Sequence, residues 1–348
     1  MRTGIISRRD NAGVTALYGR KSRWSKGERR MCSGKAEQCV SCEDRTKVID
    51  ILGKPVRVKN YICSTDGVNY RPKPENVQLQ LSVCPVSYCP ADCAFCCATG
   101  TKTLQRIDTK RFAEVVRRLK EEDHVRGVKI TGGEPFTDVG LLNEVVSILF
   151  EIFGFGLELA ISTNGIGLQR VHEIKNLVHL ETIHISRHHY DDAVNRRLFG
   201  NDNIPGTEEL KEIVNSVSYK DLWVFNTMLL KDTINSPEEA HRFLDYSIEV
   251  GVPKVGFMVC SPATPFAAEQ TIPYESVIRE DDPSMLFTRG FYDYDFCHCS
   301  DGIYASEDGR IIQFYGRSTK MVDYGYSRGL VYDSDNHLRN GFGGEIIV

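Results

Sequence analysis

Cys89, Cys93 and Cys96 stand at CxxxCxxC spacing in the run CPADCAFCCATG, directly after the apolar run VQLQLSV. Iron-sulfur cubanes are held by cysteine thiolates, normally four of them, so a compact loop with three leaves one iron open to bind and activate a ligand. A zinc knuckle is the other chemistry such a loop offers. Zinc completes a tetrahedron of four Cys or His ligands, and Cys97 or Cys84 lies near enough in sequence to be the fourth. The remaining motifs decide between the two.

One βα unit later comes Thr131-Gly132-Gly133-Glu134-Pro135. Paired glycines permit close backbone approach or positive φ, and Pro135 stiffens the exit, a geometry able to present carbonyls and a carboxylate to an ammonium group. By itself the run is equally a simple turn. Further on, the stretches Ser162-Thr163-Asn164-Gly165 and ISRHHYDD put polar side chains at the ends of apolar runs. Arg187 can grip a carboxylate bidentately or form a surface ion pair. His188 and His189 offer metal ligands or proton donors, and solvated or hydrogen-bonded roles equally.

The cysteine triplet, with Phe95 before its last member, followed by Gly-Gly-Glu-Pro, resembles the signature of the radical SAM superfamily. The resemblance implies a 4Fe-4S cluster on Cys89, Cys93 and Cys96, with S-adenosylmethionine (SAM) chelating the open iron and splitting to a 5′-deoxyadenosyl radical that takes hydrogen from a substrate. It implies SAM contacts at Phe95, Gly132, Gly133, Glu134, Pro135, Ser162, Asn164, Ser186, Arg187 and, through backbone near the adenine, Gly256. The methionine carboxylate falls to Arg187. A one-electron donor such as flavodoxin or ferredoxin is implied as well.

Within the superfamily the chain most resembles the GTP cyclase of molybdopterin biosynthesis and relatives with a shortened, twitch-like auxiliary-cluster module. VFNTMLLKDTINSPEEA carries this likeness, with Asn226 facing the interior as a substrate contact, and so does FCHCSDGIYASEDGRIIQFYGRS. The likeness runs over about residues 77 to 320. It breaks where Cys297 and Cys299 stand one residue apart instead of two and Phe314 replaces a third cysteine. The hairpin there is then a substrate platform without metal. Arg310, Tyr315 and Arg317 in and beside it suit phosphate or carboxylate groups, or form a solvated face. The first-choice substrate is a small polar or nucleotide-like metabolite; a ribosomally made peptide is the alternative, and a non-catalytic metal-binding scaffold stands third.

Cys32, Cys39, Cys42 and Cys63, with Cys297 and Cys299, make a second set of thiols. They are enough for a second iron-sulfur cluster or a zinc site, and reduced structural thiols are the plain alternative. Cys84, Cys97 and Cys260 read as small buried hydrophobes.

The elements that must position these residues alternate short apolar runs with amphipathic stretches, the pattern of repeated βα units. VQLQLSV, GVKIT, LELAIS, TIHIS, WVFNTMLL and KVGFMVC read as parallel strands. Asp108 or Thr109 caps a helix burying Phe112, Val115, Val116 and Leu119; Asp138 opens one burying Leu141, Leu142, Val145, Val146 and Leu149; PEEAHRFLDYSIEVG makes another. Six such strands predict an α/β fold, a partial (β/α)6 TIM-like barrel whose ligands gather at the C-terminal strand ends. The expected domains are a basic, Cys-containing extension over 1–76, with a hairpin VIDILGKPVRV turning at Gly53-Lys54-Pro55; a core over 77–259; and a connection with a small C-terminal twitch-like module over 260–348.

At 348 residues, 41% hydrophobic and 26% charged, the chain has the makings of a soluble protein with a large core. It contains no apolar run of the ~18 to 20 residues a membrane span needs, and MRTGIISRRD lacks a signal peptide's apolar centre, so a cytoplasmic protein without membrane contact is expected. Twelve cysteines, partly clustered, argue for metal binding over disulfides in such a compartment. A net charge of -4 disfavours a nucleic-acid partner. The basic first thirty residues read as a solvated tail, a contact for an anionic partner, or a transit segment.

Overall fold

The computed structural model describes residues 46–59, 61–63, 70–72, 77–96, 104–273, 276–277, 287–290, 301–306, 311–315 and 326–348. Cys32, Cys39, Cys42, Cys97, Cys297, Cys299, Arg310 and Arg317 lie outside these residues, and of Cys63 and Tyr315 only the backbone is described.

In chain order the first elements are β1 (Thr46–Ile51) and β2 (Lys54–Lys59), an antiparallel hairpin. Its turn is Leu52-Gly53, not the expected Gly53-Lys54-Pro55. Both turn residues take positive φ, 52° and 85°, as a two-residue hairpin loop requires, and Asp50 Oδ1 accepts the Gly53 N–H at 2.8 Å. Lys54 and Pro55 already belong to the second strand. A short pair, β3 (Tyr61–Cys63) and β4 (Tyr70–Pro72), follows.

The core then runs β5 (Leu79–Val83), α1 (Thr109–Glu121), β6 (Val125–Ile130), α2 (Val139–Phe153), β7 (Glu158–Thr163), β8 (Thr182–Ser186), α3 (Asp192–Phe199), α4 (Thr207–Ser216), β9 (Trp223–Leu229), α5 (Pro237–Val250), β10 (Lys254–Val259) and α6 (Pro265–Gln270). All six expected strands form and pair in chain order, parallel throughout. The caps read from sequence are present: Asp108 accepts from Lys110 N and Arg111 N, and Asp138 from Leu141 N; α5 has in addition Ser236, which accepts from Glu239 N. Gly251 ends α5 at φ 91°, where a Cβ would be strained. α1 buries Phe112, Val115, Val116 and Leu119, each stabilising by roughly 1.5–3 kcal/mol. α2 buries Leu142, Val145, Val146 and Leu149 but leaves Leu141 only partly covered, packed at the margin of the core.

The C-terminal part continues the same sheet. β11 (Phe287–Gly290), β12 (Asp301–Ser306) and β13 (Ile311–Tyr315) form an antiparallel set, and β13 lies parallel to β10. β14 (Gly329–Tyr332), paired with β15 (Leu338–Arg339), lies parallel to β5 at the opposite edge. An eleven-stranded sheet results, in the order β11-β12-β13-β10-β9-β8-β7-β6-β5-β14-β15.

Period-two alternation sorts the strand residues. Leu81, Val128, Ile130, Leu159, Ile161, Ile183, Ile185, Phe225 and Phe257 are buried among the helices. Ser82, Lys129, Ala160, Ser162, His184 and Ser186 alternate with them and keep part of their surface. They face the other side, the interior of the arc. Among the described residues no helix is long and apolar enough to cross a membrane.

Candidate active site

The cysteine loop leaves the C-terminal end of β5 and is held from three sides. Asp92 N donates to Phe199 O at 2.7 Å and Asn201 Nδ2 to Pro90 O at 2.8 Å, which ties the loop to the end of α3. Thr264, the cap of α6, donates to Ala94 O at 2.7 Å. Phe95 plugs a pocket of Leu230, Cys260 and Ala267, and its ring meets the His188 ring edge-on at 4.9 Å. Phe95, expected at SAM, is 6% exposed and anchors the loop. Cys260 and Cys84 are buried as expected.

Gly132 and Gly133 are glycines because the second loop packs into the first. A Cβ on Gly133 would stand 2.1 Å from Tyr88 O, and one on Gly132, at φ 110°, 2.7 Å from the Cys84 Cβ. Gly133 N donates to Val86 O at 3.0 Å and Glu134 N to Tyr88 O at 2.8 Å. These backbone groups join the two loops, and Pro135 starts the short helical turn Pro135–Asp138.

Glu134 points to the end of β7. Its carboxylate accepts from Thr163 Oγ1 at 2.7 Å, Asn164 N at 2.7 Å and Phe136 N at 3.1 Å. Burial pushes its pKa up to about 7, against those three bonds, which favour the anion. Both carboxylate oxygens thus serve the loop framework. Asn164 continues the chain of bonds, with Nδ2 donating to Cys89 Sγ at 3.5 Å. Glu134, Asn164 and Cys89 thereby connect the ends of three successive βα units.

Arg187 is a correction. Its position on the same strand face as Ile183 and Ile185 sends the side chain into the helical layer, away from the interior. The guanidinium bonds Pro205 O at 3.0 Å, Tyr190 O at 3.3 Å and the Asp192 carboxylate, and it lies over the Tyr246 ring at 5.2 Å. At 1% exposure it cannot reach a cofactor carboxylate from there. Gly256, expected near the adenine, sits in β10 between Asn226 and Gln313, with sheet neighbours on both sides.

Ser162, Ser186 and Asn226 do come together. Ser162 pairs with His184 across β7 and β8, and Ser186 with Asn226 across β8 and β9. Asn226 is buried and bonds the His184 ring at 3.3 Å. His188, left open between several roles, is structural. Its Nδ1 accepts from Met228 N at 3.1 Å and its ring stacks on Phe199 at 4.9 Å. Burial, then the Arg187 charge, brings its pKa down to about 3. His189 Nδ1 accepts from Asp191 N at 2.9 Å, within its own loop.

Lys129 and His184 escaped the sequence reading, although both face the interior. Their signal was polarity inside the runs GVKIT and TIHIS, where strands covered on both sides are otherwise apolar.

The donor type fits a thiolate-bound cluster, although among the described residues the three cysteines are not gathered into a metal-holding group. Cys89, Cys93 and Cys96 carry no disulfide and sit half-buried in one loop. Burial first, then the neighbouring Cys96 and Cys89, pushes the Cys93 thiol up to about 12. Three thiolates so enclosed need the positive charge that iron supplies, and Asn164 adds an N–H toward one of the sulfurs.

The Radical SAM superfamily profile matches residues 83–259, a little over half of the chain. A probable GTP 3′,8-cyclase of Sulfurisphaera tokodaii is 26% identical over 176 residues, 50% of this chain and 53% of that protein. One of Metallosphaera sedula is 24% identical over 268 residues, 69% of this chain and 81% of that protein. The chain thus spans about half the length of the first of these relatives. Among solved structures, Streptococcus suis SuiB bound to the precursor peptide SuiA aligns at TM-score 0.44 and 21% identity, over 57% of this chain and 43% of that one. A radical SAM methyltransferase from Sphaerobacter thermophilus aligns at 0.42 and 18%, over 62% and 67%. With the profile running from the last residue of β5 through the cysteine loop, the glycine loop and every later core strand, the chain belongs to the radical SAM superfamily, a family whose cofactors are a 4Fe-4S cluster and SAM.

Proposed function

We propose that Cys89, Cys93 and Cys96 hold the cluster, that SAM lies over the C-terminal ends of β5 to β8, and that a small polar or nucleotide-like substrate occupies the interior of the arc beneath it. When bound, the cofactors supply one electron and, from SAM, a 5′-deoxyadenosyl radical able to take hydrogen from the substrate. The chain's own residues bind, orient and keep out water. Gly132 and Gly133 bring the second loop against the cysteine loop; Asn164 holds Cys89; Ser162, Ser186 and Asn226 offer polar groups below. A one-electron donor such as flavodoxin or ferredoxin serves the cluster from outside. In this reading residues 77–259 form the catalytic core, with 1–76 and 260–348 as flanking modules.

The observation that carries the reading is strand parity. It collects polar side chains inside an arc whose helix-facing side is apolar, directly below the cysteine loop. A radical made at the loop then meets a substrate held by those groups.

Anaerobic reconstitution, reduction and assay for 5′-deoxyadenosine test the chemistry, with iron counts on Cys89→Ala, Cys93→Ala and Cys96→Ala. Iron lost in each variant and nucleoside released by the wild type are the expected results. Tetrahedral zinc on the trio, with no SAM cleavage, sinks the assignment. Mass spectrometry of deuterium transfer into 5′-deoxyadenosine from panels of labelled nucleotides and peptides then decides the substrate class. Transfer from peptides alone overturns the small-molecule choice.

A further inference from the structure

Two hydrogen bonds lead from the cysteine loop to one stretch of outer surface. Asp92, next to Cys93, donates its N–H to Phe199 O at 2.7 Å, and Phe199 runs directly into Gly200. Pro90, next to Cys89, accepts from Asn201 Nδ2 at 2.8 Å. Gly200 and Asn201 line a cavity of about 360 Å³ at the end of α3, together with Ala193, Arg196, Arg197 and Asp202. From two of the three cysteines the protein thus reaches this cavity through a neighbouring residue and one hydrogen bond.

The contact is close. Ala91, Phe199 and Ile204 form a small apolar cluster against which Cys89 and Cys93 pack. Gly200, at φ 58°, lets the end of α3 meet the loop, since a Cβ there would stand 3.1 Å from Asp92 O. Arg197 and Gly200 are exposed and Arg196 is half-buried. Two arginines against the single carboxylate of Asp202 give the cavity lining one net positive charge; Asp92, exposed on the adjoining loop, has an interaction of its own. Arg196 Nε donates to Ile204 O at 3.4 Å, which holds it along the cavity. The Arg197 guanidinium makes no hydrogen bond or ion pair among the described residues. Arginines in the last turn complement the helix dipole, and their place beside the cysteine loop gives them a second use.

We infer that the end of α3, with Arg196 and Arg197 around the cavity at Gly200 and Asn201, is the docking surface for the one-electron donor, a small carrier protein that presents carboxylates to the two guanidinium groups. Electron-transfer encounters need only a small contact, below about 1,200 Å², and complementary charge steers them. The inference rests on the proposed cluster and names where its donor binds.

Binding of a bacterial flavodoxin and of a bacterial ferredoxin, both acidic, to the anaerobically reconstituted full-length protein tests it by microscale thermophoresis. At least one carrier is expected to bind, and more weakly as ionic strength rises from about 0.05 to about 0.5 M. Arg197→Glu is expected to weaken binding about tenfold, Arg197→Lys to retain it and Asp202→Lys to strengthen it. Cluster reduction by photoreduced 5-deazariboflavin, which needs no docking surface, is expected to run at the same rate in all four proteins. An arginine that serves the helix end alone gives a lower melting temperature in Arg197→Glu with unchanged affinity. That result, or no binding by either carrier, overturns the surface. Deazaflavin-driven release of 5′-deoxyadenosine by the wild type scores the radical reading separately, so the two fail independently.

Discussion

Asn164 donates its side-chain amide to Cys89 Sγ at 3.5 Å while its backbone N–H is held by Glu134 at 2.7 Å. The end of the third core strand thus controls the electrostatics of a cysteine two βα units earlier. Hydrogen bonds to cluster sulfurs stabilise the more negative, reduced state and so raise the reduction potential. Asn164→Ala is expected to lower the potential of the reconstituted cluster by a few tens of millivolts, read by an EPR-monitored redox titration. Asn164→Asp keeps the Oδ1 cap on Ile166 N but sets a carboxylate against the sulfur, so its shift is the larger. Equal potentials in all three proteins would show that the contact does not tune the cluster.

Gly133→Ala probes the joint between the two loops. The added Cβ meets the Tyr88 backbone oxygen at 2.1 Å, and neither backbone can yield without breaking the Gly133 N to Val86 O and Glu134 N to Tyr88 O bonds. A destabilisation of about 3 kcal/mol or more is expected in chemical unfolding, with iron retention well below the wild type. Wild-type stability together with full iron content contradicts the close approach.

Arg187→Met separates structural from cofactor-binding roles. Removing the buried guanidinium leaves the Pro205 and Tyr190 carbonyls without their donor and the partly exposed Asp192 carboxylate with Thr207 alone, a loss of about 1–3 kcal/mol in stability. Because the guanidinium lies in the helical layer, SAM affinity of the folded variant is expected to stay within about twofold of the wild type. A drop of about tenfold or more, by equilibrium dialysis on protein shown to be folded, returns Arg187 to the cofactor site.

His188 sets a pH dependence of known sign. In the unfolded chain it takes a proton near the ordinary 6.5, in the folded one only near 3. Between those values the unfolded state binds the extra proton, so this contribution to stability is complete above pH 6.5 and is lost as pH falls. The slope is about 1.4 kcal/mol per pH unit for one such group. His184 acts with the same sign. His188→Phe is expected to be less stable at pH 7, since Met228 N loses its acceptor, but to show a shallower loss between pH 6.5 and 5. An unchanged slope in urea titrations across that range refutes the assignment.

Much of the core was legible before any coordinates. The strands at 79–83, 125–130 and 158–163 and the caps at Asp108 and Asp138 follow from local periodicity and short-range hydrogen bonding. The hairpin turn moved by one residue because Leu52, an unusual residue for positive φ, occupies a place that register with β2 imposes. The hairpin that holds β13 was read but not its place beside β10, and β14 went unread: their parallel partners lie elsewhere along the chain, and no local pattern records which end of the core sheet a strand will join.

Residue type and spacing alone determined the thiolate trio and the paired glycines, because ligand chemistry and backbone freedom belong to the residues themselves. Tertiary structure decided which neighbours reach the interior. Ser186 and Arg187 are adjacent and equally polar, yet the pleat sends one toward Asn226 and the other under α5. Arg197 likewise gained its place only when the end of α3 packed against the cysteine loop, since a charge acquires meaning from what surrounds it and not from its position in a run of letters.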